Sequence, residues 1–86
     1  MQAEKNTYNS LVGKMVVTKE GKRLGFVKDI VFELSTGELL NIVLKDMTSY
    51  AGNLNLERIG SGDALIPYNA IIAIGDFVIV SEEDLI

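Results

Sequence analysis

The chain lacks the two residue types that most often build metal and catalytic centres. It contains no cysteine and no histidine among its 86 residues. Disulfides and thiolate metal sites are therefore excluded, together with the commonest zinc ligand and the commonest general base. The scattered acidic residues pair with no nucleophile, so the sequence argues against an enzyme and implies no cofactor or metal. A chain this short that is 48% hydrophobic is expected to gain stability by self-association instead.

Long apolar segments are also absent. The longest apolar run, at residues 70–74, has the length of a strand, whereas a membrane helix needs ~20 residues. The first ten residues, MQAEKNTYNS, have no apolar stretch of the kind found in a signal peptide. We therefore expect a cytoplasmic protein without membrane insertion. The polar start predicts a flexible N-terminal arm at residues 1–9, followed by one domain at residues 10–86.

Positive charge is scarce in the second half of the chain. Residues 1–46 carry seven basic and six acidic side chains, whereas residues 47–86 carry six acids and only Arg58, giving a net charge of −4. An acidic domain repels phosphate backbones, so binding to nucleic acid is disfavoured. One local basic group remains near a predicted turn, and it is either a solvated hairpin end or an RNA-binding patch. Its members are Lys14, Lys19, Lys22 and Arg23.

Short β-branched and apolar stretches separated by turn residues predict an all-β protein. Six strands are expected, at residues 14–18, 24–34, 38–46, 64–68, 70–74 and 77–80. Residues 47–63 have little pattern and are interpreted as a long connection with one helical turn near residues 54–58. Many short strands with closely spaced turns favour a small antiparallel β-barrel that is closed or nearly closed, with little helix.

Strict alternation fails inside the second strand, where Lys28 and Asp29 interrupt an apolar pattern. A β-bulge at these two residues restores one apolar inner face, and Asp29 is then expected to accept a hydrogen bond from nearby main chain. A regular strand would instead turn the Lys28 charge toward the core, at a high cost. With the bulge, the inner set is Val27, Ile30, Phe32 and Leu34.

The second and third strands carry more apolar residues than one inner face needs. Leu40, Ile42 and Leu44 are expected to face the core. The remaining apolar residues of both strands are then neighbours on the outer face and predict a patch for self-association. Burial of this patch by another segment of the chain is the alternative. The predicted patch consists of Phe26, Val31, Leu39 and Val43.

Two stretches carry a family resemblance. The first runs through LVGKMVVT and GKRLGFVKD at residues 11–29, and the second through LIPY and IIAIGD at residues 65–76. Together they resemble a PRC-barrel domain. In that motif Gly21 turns a hairpin, Gly25 allows close approach of main chain, and Pro67 lies where no N–H is needed. The matching structural residues are Gly21, Gly25, Val27, Asp29, Pro67 and Tyr68.

The resemblance implies functions that the residues alone do not indicate. PRC-barrel domains occur in the H subunit of photosynthetic reaction centres, in the ribosome maturation factor RimM and in short archaeal proteins. Some of the short proteins resemble archaeal cell-division protein B, whose partner is a SepF-type anchor of the division ring. With the predicted self-association patch the protein is expected to be a non-catalytic homodimeric adaptor, and the resemblance implies that its pathway is archaeal cell division. An RNA-processing or ribosome-maturation accessory protein, analogous to RimM, is the alternative.

A second protein partner needs a surface of its own. The connection at residues 47–63 is the predicted location, because loops of this length are often functional. Its candidate contact residues are Met47, Tyr50, Leu54 and Leu56.

Overall fold

A computed structural model describes residues 10–60 and 62–85, so the predicted arm at residues 1–9 lies outside the described part. Seven strands form one sheet in the order β4-β5-β3-β2-β1-β7-β6. The strands are β1 Met15–Thr18, β2 Arg23–Phe32, β3 Leu39–Lys45, β4 Glu57–Ile59, β5 Asp63–Pro67, β6 Ile71–Ile74 and β7 Val78–Val80. The helical elements whose two ends both lie within the described residues are a short helix, α1 Ser49–Gly52, and two 3-10 turns, Tyr68–Ala70 and Glu82–Leu85. The prediction of an all-β fold with little helix is confirmed.

Neighbouring strands are antiparallel throughout this sheet, with the exception of β1 and β7. These two strands run parallel, with Val16 opposite Val78 and Thr18 opposite Val80. In the described part of the chain β4 and β6 remain the two edges, so the sheet is not closed into a complete barrel. One hydrophobic core lies against its inner face, built on fully buried residues such as Val16, Leu24 and Ile42.

The predicted bulge in β2 is present. Val27 lies opposite Leu44 and Asp29 lies opposite Val43, which leaves Lys28 as the extra residue. The Asp29 carboxylate accepts a hydrogen bond from the Ile30 N–H at 2.8 Å, as predicted for a short acid at this position.

The inner face of β2 ends earlier than predicted. Val27 and Ile30 are buried, and Phe32 packs against the core as the last residue of the strand. Leu34 lies beyond the strand in a turn and is 99% exposed, so its assignment to the core was wrong. The reason is the length of β2, since a side chain past the last paired residue has no opposite face to cover it.

A second irregularity was not predicted and reverses the roles of two leucines. Val31 pairs with Asn41 and Phe32 pairs with Leu39, so Leu40 is an extra residue in β3. Leu39 consequently packs against the core, whereas Leu40 is 41% exposed. The predicted core role of Leu40 and outer position of Leu39 were both wrong, because one inserted residue moves every side chain beyond it to the other face.

The connection at residues 47–63 contains more structure than predicted. Thr48 caps α1 by accepting a hydrogen bond from the Ala51 N–H at 3.2 Å, and its hydroxyl donates to the Arg23 carbonyl at 2.7 Å. The helical turn therefore lies at Ser49–Gly52 and not near residues 54–58, where β4 forms instead. The β4 strand depends on pairing with β5, which its own sequence does not indicate.

The glycine and proline positions of the motif have the predicted geometry. Gly21 has φ +91° in the β1–β2 turn. Gly25 has φ +156°, and a Cβ built on it would lie 2.5 Å from the Lys45 carbonyl oxygen, so the main chains of β2 and β3 approach too closely for any side chain. Pro67 ends β5, and Tyr68 begins the 3-10 turn with 54% of its surface exposed.

Candidate protein-binding surfaces

The four residues predicted to mediate self-association differ widely in exposure. Val31 is 36% exposed and Phe26 is half-buried, whereas Val43 is only 7% exposed. Leu39 lies with the core, as described above. Within residues 10–60 and 62–85 these four side chains therefore do not form one exposed patch. Their role in self-association stays a prediction.

The residues predicted to contact a second protein point toward the core. Leu56 is 7% exposed and belongs to the core, and Met47, Tyr50 and Leu54 pack against it. The segment is tied to the start of β2 by a hydrogen bond from the Thr48 N–H to the Leu24 carbonyl at 3.0 Å. These side chains cover the core, and a binding role for them stays a prediction.

Tyr50 links this segment to the C-terminal 3-10 turn. Its hydroxyl donates a hydrogen bond to Glu82 Oε1 at 2.5 Å, and the Lys22 Nζ lies 5.5 Å from the centre of its ring. Loss of the phenolic proton would break this hydrogen bond and place a second negative charge beside Glu82, so the pKa of Tyr50 is raised above its ordinary value. The hydrogen bond between Tyr50 and Glu82 therefore holds the 3-10 turn at Glu82–Leu85 against α1.

The predicted basic group lies among acids. Lys19 and Lys22 line a shallow cleft of about 300 Å³ together with Glu20, Glu82 and Glu83. The ammonium of Lys14 is hydrogen-bonded to the Gly75 carbonyl at the tip of the β6–β7 hairpin. Positive charge is therefore interleaved with negative charge at this end of the molecule, unlike the continuous basic groove that tracks a nucleic-acid backbone.

Lys28, the extra residue of the β2 bulge, forms an ion pair with β5. Its Nζ lies 2.6 Å from Asp63 Oδ2, and the hydrogen bond to this carboxylate raises the pKa of Lys28. The Lys28 side chain is 54% exposed, so water and salt screen the pair. The pair reaches across β3 to connect the bulge with the start of β5, and it contributes little to stability.

Large apolar side chains are exposed on the hairpin formed by β6 and β7. Ile72 is 52% exposed, Ile74 is 44% exposed and Phe77 is 49% exposed. We call these three residues the hairpin surface. Ile72 and Ile74 are exposed on β6, which is an edge of the sheet, whereas Phe77 lies in the turn before β7. The sequence places residues 70–74 in a strand, and the absence of charge from this run is the signal that could have marked it as an interface.

A second exposed apolar group lies around the β2–β3 turn. Leu34 is 99% exposed, Leu40 is 41% exposed and Val31 is 36% exposed. We call these three residues the turn surface. Glu33 and Glu38 flank the turn itself, and the Glu33 N–H bonds to the Glu38 carbonyl at 2.8 Å. The molecule thus presents two apolar surfaces, of which the turn surface has two acidic neighbours and the hairpin surface has one, Asp76.

Across residues 10–60 and 62–85, no group of three or more Asp, Glu, His or Cys side chains is arranged to hold a metal ion. Nor does this part contain a helix long and apolar enough to cross a membrane.

Comparison with known proteins places the chain in a family. A family model described as the PRC-barrel domain matches residues 3–85. The chain is also 30% identical over 82 residues to an uncharacterized protein of Methanocaldococcus jannaschii, with 95% of this chain and 88% of that protein covered. The two matches span nearly all of the fold described above, including the hairpin with Gly21 and the strand that ends at Pro67. The chain therefore belongs to the PRC-barrel domain family.

Proposed function

We propose that this PRC-barrel protein is a non-catalytic, cytoplasmic protein-binding module that forms a homodimer and binds a second protein. The observation that supports it best is the presence of two separate exposed apolar surfaces on a domain of 86 residues. Exposed apolar patches on small domains commonly mark interfaces. Two such surfaces suit an adaptor, because one can hold a second copy while the other remains free.

The hairpin surface is the better candidate for self-association. It carries three exposed apolar side chains on six consecutive residues, and no charged residue other than Asp76 lies in that stretch. The turn surface has Glu33 and Glu38 beside it. Two copies brought together there would oppose like charges, which is unfavourable. The turn surface is therefore assigned to a partner that is not a second copy.

The interleaved charges near Lys19 and Lys22 favour this proposal over the RNA-binding alternative. A protein that binds RNA through phosphate contacts needs basic side chains free of acidic neighbours. The cleft holds Glu20, Glu82 and Glu83 instead. In a gel-shift assay at low salt, the protein is expected not to retard a short single-stranded RNA. A complex that forms at low salt and dissociates at higher salt would favour the RNA-binding alternative.

Self-association is tested by sedimentation equilibrium over a dilution series of the wild type, Phe77→Ser and Leu34→Ser. Burying the exposed half of a phenylalanine ring is worth ~1–1.5 kcal/mol per copy. A symmetric dimer of Phe77→Ser loses this free energy once in each copy, so the substitution should weaken dimerisation about a hundredfold. Leu34→Ser is the matched control, because it truncates an exposed side chain on the other surface and should leave the dimer unchanged.

Val31→Glu, on the outer face of β2, tests the surface predicted from sequence in the same experiment. If it abolishes the dimer while Phe77→Ser does not, the hairpin surface is the wrong interface. A wild type that stays monomeric at the highest concentration removes the homodimer from the proposal.

The cell-division role that the resemblance implies is tested with a purified SepF-type anchor. The wild type and Phe77→Ser are expected to bind the anchor, whereas Leu34→Ser is expected to bind it more weakly, because Leu34 is the most exposed residue of the turn surface. Isothermal titration calorimetry measures the three affinities. No heat of binding for the wild type would contradict the division-ring role and leave the self-association result untouched.

A further inference from the structure

The free edge of β6 differs from the other edge of the sheet. The outer strand β4 carries two charged residues, Glu57 and Arg58, in its three-residue length. Charged side chains on an edge strand discourage pairing with another chain. By contrast β6 has the sequence Ile-Ile-Ala-Ile, with no charge and no proline. A register shift between Ile71 and Ala73 leaves Ile72 as an extra residue against β7, so the regular part of this edge is Ala73 and Ile74. Charge therefore protects the β4 edge, whereas no charged residue of β6 opposes pairing beside Ile74.

The hydrogen bonds of the hairpin show which main-chain groups face this open edge. Ile74 is paired with Val78, and the adjacent bond runs from the Gly75 N–H to the Phe77 carbonyl at 2.9 Å. This pattern is that of a non-hydrogen-bonded pair, in which the N–H and C=O of Ile74 are directed away from β7. Both groups are therefore available to a strand that adds to the edge.

Ile71 has the same relation to Val80. The adjacent bond runs from the Ser81 N–H to the Ala70 carbonyl at 2.8 Å, so Ile71 also turns its main-chain groups outward. Its N–H is already bonded to the Tyr68 carbonyl of the 3-10 turn. The residues of β6 in register with β7 thus offer one donor, at Ile74, and two acceptors, at Ile71 and Ile74.

We propose that two copies of this chain join edge to edge through antiparallel pairing of their β6 strands, with Ile74 supplying reciprocal main-chain hydrogen bonds. This deepens the homodimer proposed above and rests on it. A second copy suits the edge because a two-fold axis matches each donor with the same acceptor on the other copy. With Ile74 at the two-fold axis, residue 72 of one copy lies opposite Asp76 of the other, so this acid lies at the end of the paired stretch and not at its centre. The carbonyl of the preceding residue, Gly75, accepts a hydrogen bond from the Lys14 ammonium, which brings a cation to the same end.

The side chains at the edge fit strand addition. Ile74 shares a face with its pair Val78, which is fully buried, whereas Ala73 shares the opposite face with Ile79. A strand added at the edge lies beside β6 in the plane of the sheet, so its side chains pack against those of β6 on each face and extend the core beyond Ile74 on the inner one. The three exposed side chains of the hairpin surface offer roughly 300 Å² per copy. An interface of this size is below the standard class, so a micromolar, dilution-sensitive dimer is expected.

Amide hydrogen exchange of the unmodified protein tests the pairing, with sedimentation equilibrium giving the dimer fraction at each concentration. Exchange at Ile74 proceeds from the monomer alone if its N–H is bonded across the dimer. The exchange rate of the Ile74 amide should then be about tenfold lower, relative to the monomer, when nine tenths of the protein is dimer. The Glu57–Ile59 amides of the opposite edge should show no such dependence. A dimer in which exchange at Ile74 does not depend on concentration overturns β6 pairing while the homodimer stands.

Ile74→Pro provides a second measurement. Proline removes an N–H that β7 does not use, so the fold should tolerate it at this edge, whereas the intermolecular bond is lost. Dimerisation should fall at least about a hundredfold relative to Ile74→Ala, which keeps the N–H. Equal dimerisation of these two variants contradicts main-chain pairing. Should Ile74→Pro fail to fold, the exchange experiment still decides.

Discussion

Replacing Gly25 by alanine should cost this domain a large part of its stability. A Cβ at this position would lie 2.5 Å from the Lys45 carbonyl oxygen and 3.1 Å from a methyl carbon of Leu44. The first contact is with main chain, which cannot rotate away as a flexible side chain can. Since β3 is bonded to β5 on its other side, moving Lys45 would disturb a second strand pair.

The expected magnitude has two parts. Overpacking against an interior that must shift costs ~1–3 kcal/mol, and a non-glycine residue at a φ of +156° adds strain of ~1–3 kcal/mol. We therefore expect a loss of about 2–6 kcal/mol, out of the 5–15 kcal/mol typical of native proteins. For a domain of this size that corresponds to a fall in Tm of roughly 10–40 °C.

Gly52→Ala is the matched control. The nearest atom to a Cβ at Gly52 is an Arg58 guanidinium nitrogen at 4.0 Å, and the residue lies in the last position of α1. Alanine there should leave stability unchanged or raise it by up to about 1 kcal/mol. Urea unfolding followed by circular dichroism, at one protein concentration for all variants, gives the three free energies. A Gly25→Ala variant within about 0.5 kcal/mol of the wild type would refute the steric argument.

Three further substitutions test other parts of the structure. Ile42→Ala removes a fully buried side chain and should cost ~2–5 kcal/mol in urea unfolding, whereas Leu34→Ala should change stability by less than ~0.5 kcal/mol because Leu34 is 99% exposed. Equal losses of unfolding free energy in the two variants would indicate that Leu34 belongs to the core after all. Glu82→Ala should return the raised pKa of Tyr50 toward its ordinary value of 10.0, as measured from the ring resonances during a pH titration. Because folding favours the protonated phenol, its contribution to stability is complete at neutral pH and is lost as the pH rises through the pKa of Tyr50. A wild-type titration of Tyr50 at the ordinary value would contradict the hydrogen bond to Glu82.

Charge explains why one irregularity of the β2–β3 hairpin could be predicted and the other could not. Lys28 and Asp29 break an apolar alternation, and the cost of burying a charge identifies the extra residue. At Leu39 and Leu40 two identical side chains compete for one core position. Nothing in their chemistry shows which is extra, and the register with Phe32 decides it.

The candidate surfaces, too, could not be identified from the sequence alone, because they depend on how the strands are arranged in the sheet. An uncharged strand such as β6 is compatible with a fully buried position or with an unpaired edge, and only the order of strands in the sheet distinguishes them. The β4 strand has weak strand propensity and forms through its pairing with β5. The hairpin of Gly21 and Gly25 could be predicted because a turn and a close main-chain approach each require a specific residue type.

The parallel pairing of β1 with β7 has a consequence for synthesis of the protein. Val78 and Val80 are fully buried, and β7 lies beside the first strand of the sheet although it is the last strand of the described residues. A nascent chain that has not yet released β7 from the ribosome cannot complete its core. Until then the apolar side of β1 is exposed to other molecules. Pairing of β7 with β1 is therefore expected to be the closing step of folding.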